Sequence, residues 1–408
     1  MKLVSSCSGG GLLAADMVAL ASSLARQEHA RRNPLALDFP QPETFAQVTW
    51  ESCGLDAAAV AAVTAQANAM CACTVPVPHA AESCGAFCTA LWEQWQHGPR
   101  QLNFFTSGST GKPKACTHSE AMLLQEAHVL MQLFASGATW RQALVFVPLH
   151  HVYGFVFGWL VPRLLRMDIA TLPALPTVGQ ARLTGNTTGL WFVGVPLLWQ
   201  RLLALRQTAR PVAEHVLFSA GTPLGDATLA ALTTGKLHCV DIYGSTETGA
   251  MAFRTGACEP FVLLPHWRKE RDARGEAGFA RHMPDGNWQA VPAMDRMQWT
   301  DARHMRPTGR LDKAVQVVGH NVYPERIAAV LQNVTGVREC VVRLMRPEEG
   351  CRLKAFVVPD APAGKDTQSL RRALQDHARA QLKDAERPGS YAFGAHLPRS
   401  AMGKLTDW

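Results

Sequence analysis

The sequence lacks the patterns by which several classes of protein are recognised. No Cys-x-x-Cys pair occurs among its eleven cysteines, so neither a structural zinc site nor a disulfide framework is predicted. No basic stripe with interleaved aromatic residues accompanies the net charge of +7. Nucleic-acid binding is therefore not expected, whereas a small anionic ligand is compatible with this charge. The hydrophobic content of 47% is that of a globular protein with a large core.

Signals for membrane insertion and for export are weak as well. Residues 142–162 contain no Asp, Glu, Lys or Arg, a length that suggests a membrane span. Pro148, His150 and His151 interrupt this run, so a buried strand–turn–helix is predicted instead. No apolar stretch precedes Cys7, and no export signal is predicted. We therefore expect a cytoplasmic protein without membrane insertion.

Apolar strand-like runs alternate with helix-compatible stretches in the first part of the chain. Strands are predicted at residues 102–105, 143–147, 189–193, 215–219 and 237–243, and helices at residues 11–30, 56–70, 86–97, 119–133 and 196–208. This alternation predicts an α/β fold with a mostly parallel sheet. Residues 254–308, rich in Gly, Pro, Arg and Trp, are predicted to be less regular, and residues 313–408 to form a small α+β domain.

A segment rich in glycine, hydroxyl groups and lysine, Thr106–Lys114, follows the first predicted strand with the sequence Thr-Ser-Gly-Ser-Thr-Gly-Lys-Pro-Lys. Glycines let backbone N–H groups curl around an anion, and the hydroxyl and ammonium groups add further donors. The spacing is not that of a Walker A loop, and a flexible surface turn is the alternative. The residues predicted to bind phosphate are Thr106, Ser107, Gly108, Ser109, Thr110, Gly111, Lys112 and Lys114.

A second polar segment, residues 241–249, ends a predicted strand with the sequence Asp-Ile-Tyr-Gly-Ser-Thr-Glu-Thr-Gly. Ligands of open α/β sheets bind at the carboxyl ends of the strands. The Tyr243 ring is suited to stacking on a base, the Thr246 hydroxyl to a phosphate, and the Glu247 carboxylate to Mg²⁺. A polar helix cap formed by Ser245 or Thr246 is the alternative.

Both segments resemble motifs of the adenylate-forming superfamily, which comprises acyl-CoA and aryl-CoA synthetases, adenylation domains of peptide synthetases, and luciferases. Thr106–Lys114 resembles its phosphate loop, and residues 243–247 resemble its Tyr-Gly-x-Thr-Glu motif. Further segments resemble its remaining motifs in the expected order: residues 148–153, 219–224, 299–301, 308–312, 319–325 and 397–404. Because so many matches follow in order, the chain is identified as a member of this superfamily.

The resemblance implies an enzyme with two half-reactions. A carboxylate attacks the α-phosphorus of MgATP to give an acyl-adenylate and pyrophosphate; the thiol of CoA, or of the phosphopantetheine of an acyl carrier protein, then displaces AMP. The implied fold has a large domain, residues 1–310, with mostly parallel sheets flanked by helices, and a small mobile α+β domain, residues 313–408. Asp312 would be the hinge, and residues 254–308 a shortened β-rich part of the large domain.

The resemblance also assigns roles to single residues. Glu247 would coordinate Mg²⁺ and Thr246 would contact the α-phosphate, while Asp301 and Arg310 would fix the ribose. Lys404 would bridge the carboxylate and the α-phosphate and stabilise charge as it develops. Further nucleotide contacts are implied for Ala220, Gly221, Thr222, Tyr243, Gly244 and Ser245, and Gly319 would lie at the thiol tunnel.

The pocket for the acid is predicted to be apolar. Its candidate residues are His151, Phe155, Trp191, Val193 and Gly221, and for His151 an ordinary core histidine is the alternative. No acidic group is well placed to bind the ammonium of an amino acid, so an aromatic acid or a short to medium acyl chain is favoured. Compact ligases of aryl-polyene pathways, which load a hydroxybenzoate-like starter onto a carrier protein, resemble this chain.

Departures from the family pattern leave other functions open. The chain is shorter than relatives before the phosphate loop and between Glu247 and Asp301, and Asp301 lacks the usual preceding glycine. Gln316 stands where many relatives have a lysine. A non-catalytic relative that binds ATP or a carrier protein is one alternative, and an adenylating enzyme without a thioester step is another.

Overall fold

The computed structural model describes most of the chain: residues 11–33, 38–107, 113–136, 139–172, 189–205, 215–222, 224–233, 237–271, 277–311, 314–317, 320–346, 348–360, 367–398 and 408. Contacts divide the chain into two compact units. The first comprises Met1–Phe105, Ala115–Ala293 and Gln298–Arg306, and the second comprises Thr106–Lys114, Met294–Met297 and Pro307–Trp408. The division into domains 1–310 and 313–408 stays a prediction.

The helices of the first unit are α1 (Ala14–Arg32), α2 (Pro42–Phe45), α3 (Ala57–Cys71), α4 (Cys84–His97), α5 (Glu120–Phe134), α6 (Val152–Phe155), α7 (Val161–Leu164), α8 (Pro196–Leu205) and α9 (Asp226–Leu232). A π-helical turn, Val156–Leu160, joins α6 to α7, and a 3-10 helix spans Glu51–Cys53. The second unit contains α10 (Pro324–Gln332), α11 (Thr367–Gln381) and a 3-10 helix at Asp384–Glu386.

The strands up to residue 310 are β1 (Gln101–Ser107), β2 (Pro113–Ser119), β3 (Trp140–Val145), β4 (Asp168–Thr171), β5 (Gly189–Gly194), β6 (His215–Ser219), β7 (Leu237–Ser245), β8 (Gly249–Arg254), β9 (Phe261–Leu263), β10 (Trp267–Arg271), β11 (Ala277–His282), β12 (Trp288–Val291), β13 (Asp295–Trp299) and β14 (His304–Arg310). The second unit adds β15 (Val315–Val317), β16 (His320–Val322), β17 (Val337–Leu344), β18 (Leu353–Pro359) and β19 (Pro388–Phe393). Residues 254–308 are therefore rich in strands, as the resemblance implies, and the expectation from composition that they are less regular is wrong.

A nine-stranded sheet, in the order β13-β14-β9-β8-β7-β6-β5-β3-β4, is the centre of the first unit. Its strands from β4 to β7 pair in parallel, and β7, β8 and β9 pair antiparallel. The central parallel strands β5 and β6 are buried along nearly their whole length, as parallel strands covered by helices on both faces must be. The predicted α/β class is confirmed, with a sheet that is parallel from β4 to β7 and antiparallel in its β7–β8, β8–β9 and β9–β14 pairs.

Local sequence explains where two of the surrounding helices begin. The side chain of Ser119 accepts a hydrogen bond from the Met122 amide at the start of α5, and Asp56 accepts one from the Ala59 amide at the start of α3. Such caps satisfy backbone N–H groups that have no partner inside the helix. Because Ser119 ends β2 and also caps α5, it fixes the position at which the strand gives way to the helix.

The second unit has its own core. A three-stranded sheet, β17-β18-β19, packs its buried residues against the apolar faces of α10 and α11. Strands β15 and β16 form a separate hairpin, in which Gln316 is paired with Asn321. In the part of the chain that the structure describes, no helix has the length and apolarity to cross a membrane. Residues 142–162 instead contain the end of β3, a turn and the start of the helical segment, as predicted.

Candidate active site

Residues 243–249, here called the Glu247 turn, connect β7 to β8 in an antiparallel hairpin, with Ser245 paired to Gly249. The alternative of a helix cap is wrong, because no helix follows. Two glycines are required here. A Cβ atom on Gly244 would lie 2.2 Å from the carbonyl oxygen of Gly249, and Gly249 itself has a φ of +69°. The glycines thus permit a tight reversal at the carboxyl end of β7.

The polar side chains of the Glu247 turn differ in whether the turn itself uses their hydrogen bonds. The Thr248 hydroxyl accepts a hydrogen bond from the Ser245 amide at 3.0 Å and donates to the carbonyl of Gly249 at 2.9 Å. Thr248 is therefore committed to the turn. Thr246 and Glu247 are half-buried, and the Glu247 carboxylate has no hydrogen-bond partner among the described residues. This carboxylate is therefore suited to an external ligand.

Three buried polar side chains that motif matching did not select lie against the Glu247 turn. The Nε2 atom of His118 lies 2.7 Å from the carbonyl oxygen of Thr246. Glu126 accepts a hydrogen bond from the amide of Ala250 at 3.1 Å. Arg281 donates to the carbonyl of Thr248 at 3.0 Å and lies 4.0 Å from the Glu126 carboxylate. The sequence offers one signal for these three residues: a polar side chain, Glu126, within the apolar face of α5.

The segment after β6 holds the predicted adenine contacts. Ala220 is buried, and Gly221 has a φ of +95°, a conformation that favours glycine. The Ser219 hydroxyl is buried and has no hydrogen-bond partner among the described residues. Strand β6 ends beside β7, where Ser219 pairs with Asp241. The segments around Gly221 and Glu247 thus leave the sheet from adjacent strands.

Asp241 and Arg254 fix the chain around these two segments. Arg254 donates to the Asp241 carboxylate at 2.9 Å, to Asp226 at 2.7 Å and to the carbonyl of Leu224 at 2.5 Å. Burial raises the pKa of Asp241 to about 6, and the hydrogen bond from Arg254 opposes that rise. A buried charge that loses its partner is costly, so this pair holds the start of α9 against the β7–β8 hairpin.

The predicted acid-pocket residues lie at the carboxyl ends of β3 and β5. Phe155, Trp191 and Val193 are fully buried. The Trp191 ring packs 4.4 Å from that of Phe218, its indole N–H donates to the carbonyl of Phe157 at 2.8 Å, and the Phe155 ring lies 5.9 Å from that of Phe104. His151 precedes α6 and is half-buried. Phe155 and Trp191 thus each lie in aromatic surroundings, and the role of the predicted pocket residues in binding an acid stays a prediction.

Asp301 lies in a different environment. It is exposed in the turn between β13 and β14, and its carboxylate accepts hydrogen bonds from the amides of Arg303 and His304 at 2.7 and 2.8 Å. These backbone bonds, together with the nearby His304 ring, lower its pKa. Asp295, at the start of β13, is a buried carboxylate in the same segment. Sequence reasoning did not select it, because the residues that precede it, Pro-Ala-Met, match no motif of the family.

Several predicted site residues fall outside the described residues, namely Gly108, Ser109, Thr110, Gly111, Lys112, Asp312, Gly319 and Lys404. Thr106 and Ser107 end β1, and Lys114 lies near the start of β2 and is exposed. Gly309 and Arg310 end β14. Among the described residues, no group of three or more His, Cys, Asp or Glu side chains is arranged to hold a metal ion. A Mg²⁺ ion bound here would therefore need oxygen ligands from elsewhere, such as nucleotide phosphates.

Comparison with known proteins identifies the family. Residues 102–281 match the family described as AMP-binding enzyme, and residues 326–404 match its C-terminal domain. The chain is 37% identical over 313 residues to a 4-coumarate–CoA ligase of Halorhodospira halophila, covering 74% of each chain. It is 31% identical over 314 residues to a 4-coumarate–CoA ligase of Cereibacter sphaeroides, covering 76% of this chain and 72% of the other.

The fold is similar to that of solved structures in which the sequence has diverged further. The o-succinylbenzoate CoA synthetase of Bacillus subtilis superposes with a TM-score of 0.59 at 18% identity, covering 74% of this chain and 67% of that one. The predicted membership is confirmed by the relatives that share a third of the sequence. The chain belongs to the AMP-binding enzyme family, the adenylate-forming superfamily that its motifs indicated.

Proposed function

We propose that this protein is an AMP-forming acid–thiol ligase that activates an aromatic or short acyl carboxylate with MgATP and transfers the acyl group to a thiol. The observation that carries the proposal is the Glu247 turn. It presents a carboxylate with no hydrogen-bond partner among the described residues at the carboxyl end of a central strand, the place where α/β sheets bind ligands. The relatives named as 4-coumarate–CoA ligases support the same reaction.

The proposed first half-reaction depends on position and charge rather than on a protein nucleophile. Glu247 would hold Mg²⁺ together with phosphate oxygens, because Mg²⁺ prefers one or two carboxylates and retains other oxygen ligands. Thr246 would donate to the α-phosphate, and Thr106–Lys114 would surround the β- and γ-phosphates. Lys404 would stabilise the charge that develops as the carboxylate attacks.

The ribose contact has two candidate carboxylates. Asp301 is favoured by its motif, but its Oδ1 atom already accepts bonds from two backbone amides and its Oδ2 atom lies 2.7 Å from the His304 ring. Asp295 is buried and belongs to the same hairpin. We propose that Asp295 shares or replaces the role assigned to Asp301, with Arg310 as the second ribose contact.

An aromatic acid is the substrate class that fits best. The candidate pocket residues are aromatic or aliphatic apart from His151 and Gly221, so they offer apolar surface and no carboxylate for an ammonium group. Other relatives are named 4-chlorobenzoate–CoA ligase and 3-hydroxybenzoate–CoA ligase, which act on substituted benzoates. A hydroxybenzoate- or coumarate-like acid is therefore the first to test.

The thiol acceptor is CoA or the phosphopantetheine of an acyl carrier protein. The relatives are named as CoA ligases, which favours CoA. The carrier protein stays the second candidate, because the chain resembles compact ligases that load an aromatic acid onto a carrier protein. The alternatives of a non-catalytic ATP-binding relative and of an adenylating enzyme without a thioester step make different predictions in the same assay.

Pyrophosphate–ATP exchange with a panel of acids tests the proposal. We expect exchange with substituted benzoates or cinnamates, weaker exchange with short fatty acids and none with amino acids. Mass spectrometry then detects thioester formation with CoA and with loaded carrier proteins. Folded protein that exchanges with no acid would refute the ligase, and exchange without a thioester on either acceptor would favour the adenylating alternative.

The Lys404→Ala variant tests the proposed division of labour. Because Lys404 is assigned to the adenylation step, the variant should lose exchange by about 100-fold or more, while thioester formation from supplied acyl-adenylate changes little. Lys383→Ala, an exposed lysine of the second unit, is the control and should retain both activities. Equal losses of Lys404→Ala in the two half-reactions would contradict the assignment.

A further inference from the structure

Three buried titratable side chains that the proposed chemistry does not use contact the Glu247 turn from its inner side. His118, Glu126 and Arg281 are each at most 2% exposed. Burying such groups costs free energy unless partners satisfy them. Their partners are backbone atoms of the turn and of the residue after it: the carbonyls of Thr246 and Thr248 and the amide of Ala250. The network is therefore directed at the main chain that carries Glu247.

The Glu126 carboxylate is fitted to the glycine at the end of the turn. A Cβ atom on Gly249 would lie 2.2 Å from Glu126 Oε2, so glycine is the residue that lets the carboxylate approach. Glu126 Oε1 accepts from the Ala250 amide at 3.1 Å, and Arg281 lies 4.0 Å from Glu126 while donating to the Thr248 carbonyl. Glu126 and Arg281 thus hold the C-terminal half of the turn through one backbone amide and one backbone carbonyl.

His118 fixes the other half of the turn and links it to the first motif. It lies on β2, the strand that leaves Thr106–Lys114, and only three residues separate it from Lys114. Because the carbonyl of Thr246 can only accept, Nε2 of His118 is the donor of the 2.7 Å bond. The ring also packs against Phe104 of β1 at 5.8 Å. One side chain therefore connects the strands flanking the glycine-rich segment to the carbonyl next to Glu247.

We propose that His118, Glu126 and Arg281 are positioning residues for the MgATP site, and that His118 couples the strand following Thr106–Lys114 to the Glu247 turn. This inference rests on the proposed function, since it assumes that both segments bind MgATP. A bond to a main-chain carbonyl cannot select the acid, because it changes only where Thr246 and Glu247 stand. Its loss should therefore weaken MgATP binding and leave the affinity for the acid unchanged.

The test compares two substitutions of one histidine. His118→Leu removes the donor, whereas His118→Gln places an amide Nε2 at the same distance along the side chain and retains it. His118→Leu should raise the KM of MgATP in pyrophosphate exchange, and its Kd, about tenfold, the value of one hydrogen bond to a buried carbonyl. The KM of the acid should stay constant, and His118→Gln should recover most of the loss.

His128→Leu is the matched control. This half-buried histidine of α5 also bonds to a backbone carbonyl, that of Leu124 at 2.7 Å, but inside its own helix. It should leave both KM values unchanged. A purely structural role for His118 would appear as a loss of kcat or of thermal stability with the KM of MgATP unchanged and no recovery in His118→Gln, and that result would overturn the proposal.

The two hypotheses fail in different ways. If the wild type exchanges pyrophosphate but the His118 variants bind MgATP as it does, the positioning role is refuted and the ligase function stands. If the wild type binds MgATP without exchange for any acid, the function is refuted and the Kd values still decide the positioning role. If it binds no MgATP, both are refuted. Should His118→Leu fail to fold, His118→Asn, whose amide is one carbon shorter, replaces it.

Discussion

Two acidic turns of the first unit use their carboxylates in opposite ways. In the turn after β13, the Oδ1 atom of Asp301 accepts hydrogen bonds from the amides of Arg303 and His304, and Oδ2 lies 2.7 Å from the His304 ring, so this carboxylate holds its own loop together. In the Glu247 turn that task belongs to Thr248 and to side chains from distant strands and helices. The Glu247 carboxylate therefore makes no hydrogen bond to the described residues that stabilises the turn.

The Asp301 carboxylate thus stabilises its own turn, whereas the Glu247 carboxylate is held by its turn without a hydrogen-bond partner among the described residues. Both residues follow a threonine and both match a family motif, so the sequence pattern treats them alike. Their hydrogen bonds do not. A polar group that is already satisfied by backbone amides gains little from a ligand, whereas an unsatisfied one in a half-buried position gains more. The comparison therefore ranks Glu247 above Asp301 as a ligand-binding residue.

The largest effect should come from removing the displayed charge. Glu247→Gln keeps the size of the side chain but weakens Mg²⁺ binding, so pyrophosphate exchange should fall by about 100-fold or more. Glu270→Gln, which alters a partly exposed carboxylate of β10, should leave the rate within about twofold, as is usual for surface substitutions. A Glu247→Gln exchange rate close to that of the wild type would contradict the ranking of Glu247 above Asp301 as a ligand-binding residue.

The next effect concerns the glycine that admits Glu126. Gly249→Ala combines a φ of +69° with a Cβ atom 2.2 Å from Glu126 Oε2, so unfolding free energy should fall by about 3 kcal/mol. Gly286→Ala is the matched control, since Gly286 has a φ of +90° with no atom within 4 Å; it should lose about 1 kcal/mol. Denaturant titration measures both. Equal losses would mean that the contact with Glu126 contributes nothing.

The pH dependence of stability should reveal the Glu126 carboxyl. Burial raises its pKa from 4.5 to about 7, so the folded state retains a proton that the unfolded state releases. Its contribution to stability is complete below pH 4.5 and is lost as the pH rises through about 7, on the order of 3 kcal/mol. The stability difference between wild type and Glu126→Gln should change across that window and stay constant above it. A difference that does not vary with pH would contradict the raised pKa.

The smallest effect separates the two carboxylates of the β13–β14 hairpin. Asp295→Asn should raise the KM of ATP about tenfold, the loss of one hydrogen bond to a charged group. Asp301→Asn should leave this KM unchanged and lower the thermal midpoint slightly, because its carboxylate serves the turn. Exchange kinetics and thermal melts on both variants measure this. The reverse result would assign the ribose contact to Asp301 and would mean that both turns carry a ligand-binding carboxylate.

Sequence patterns located the buried parallel strands well. The strands at 189–193, 215–219 and 237–243 were expected within two residues of β5, β6 and β7, because strands covered on both faces read as continuous apolar runs. Strands such as β10, with the sequence Trp-Arg-Lys-Glu-Arg, carry no such run and depend on pairing with β11. This is why residues 254–308 were expected to be irregular.

The candidate site divides in a similar way. Tyr243, Thr246 and Glu247 were found from a contiguous motif that lies at the predicted strand end. The residues that support them cannot be recognised from a contiguous motif. His118 lies 128 positions from its partner in the turn, and Glu126 lies 124 positions from its partner in β8. Contacts over such separations follow from the tertiary fold, and a local sequence signal, such as the polar Glu126 in the apolar face of α5, does not name the partner.

The β7–β8 hairpin differs from the rest of the central sheet in the order in which it can form. Its strands are joined directly by the Glu247 turn, whereas parallel neighbours such as β3 and β5 are separated by long crossover segments. A short loop closes at a small entropic cost, and hairpins form in about 1–10 μs. During folding the hairpin that carries Glu247 can therefore pair early, and the later docking of α5 and β11 converts a transient local structure into a rigid one.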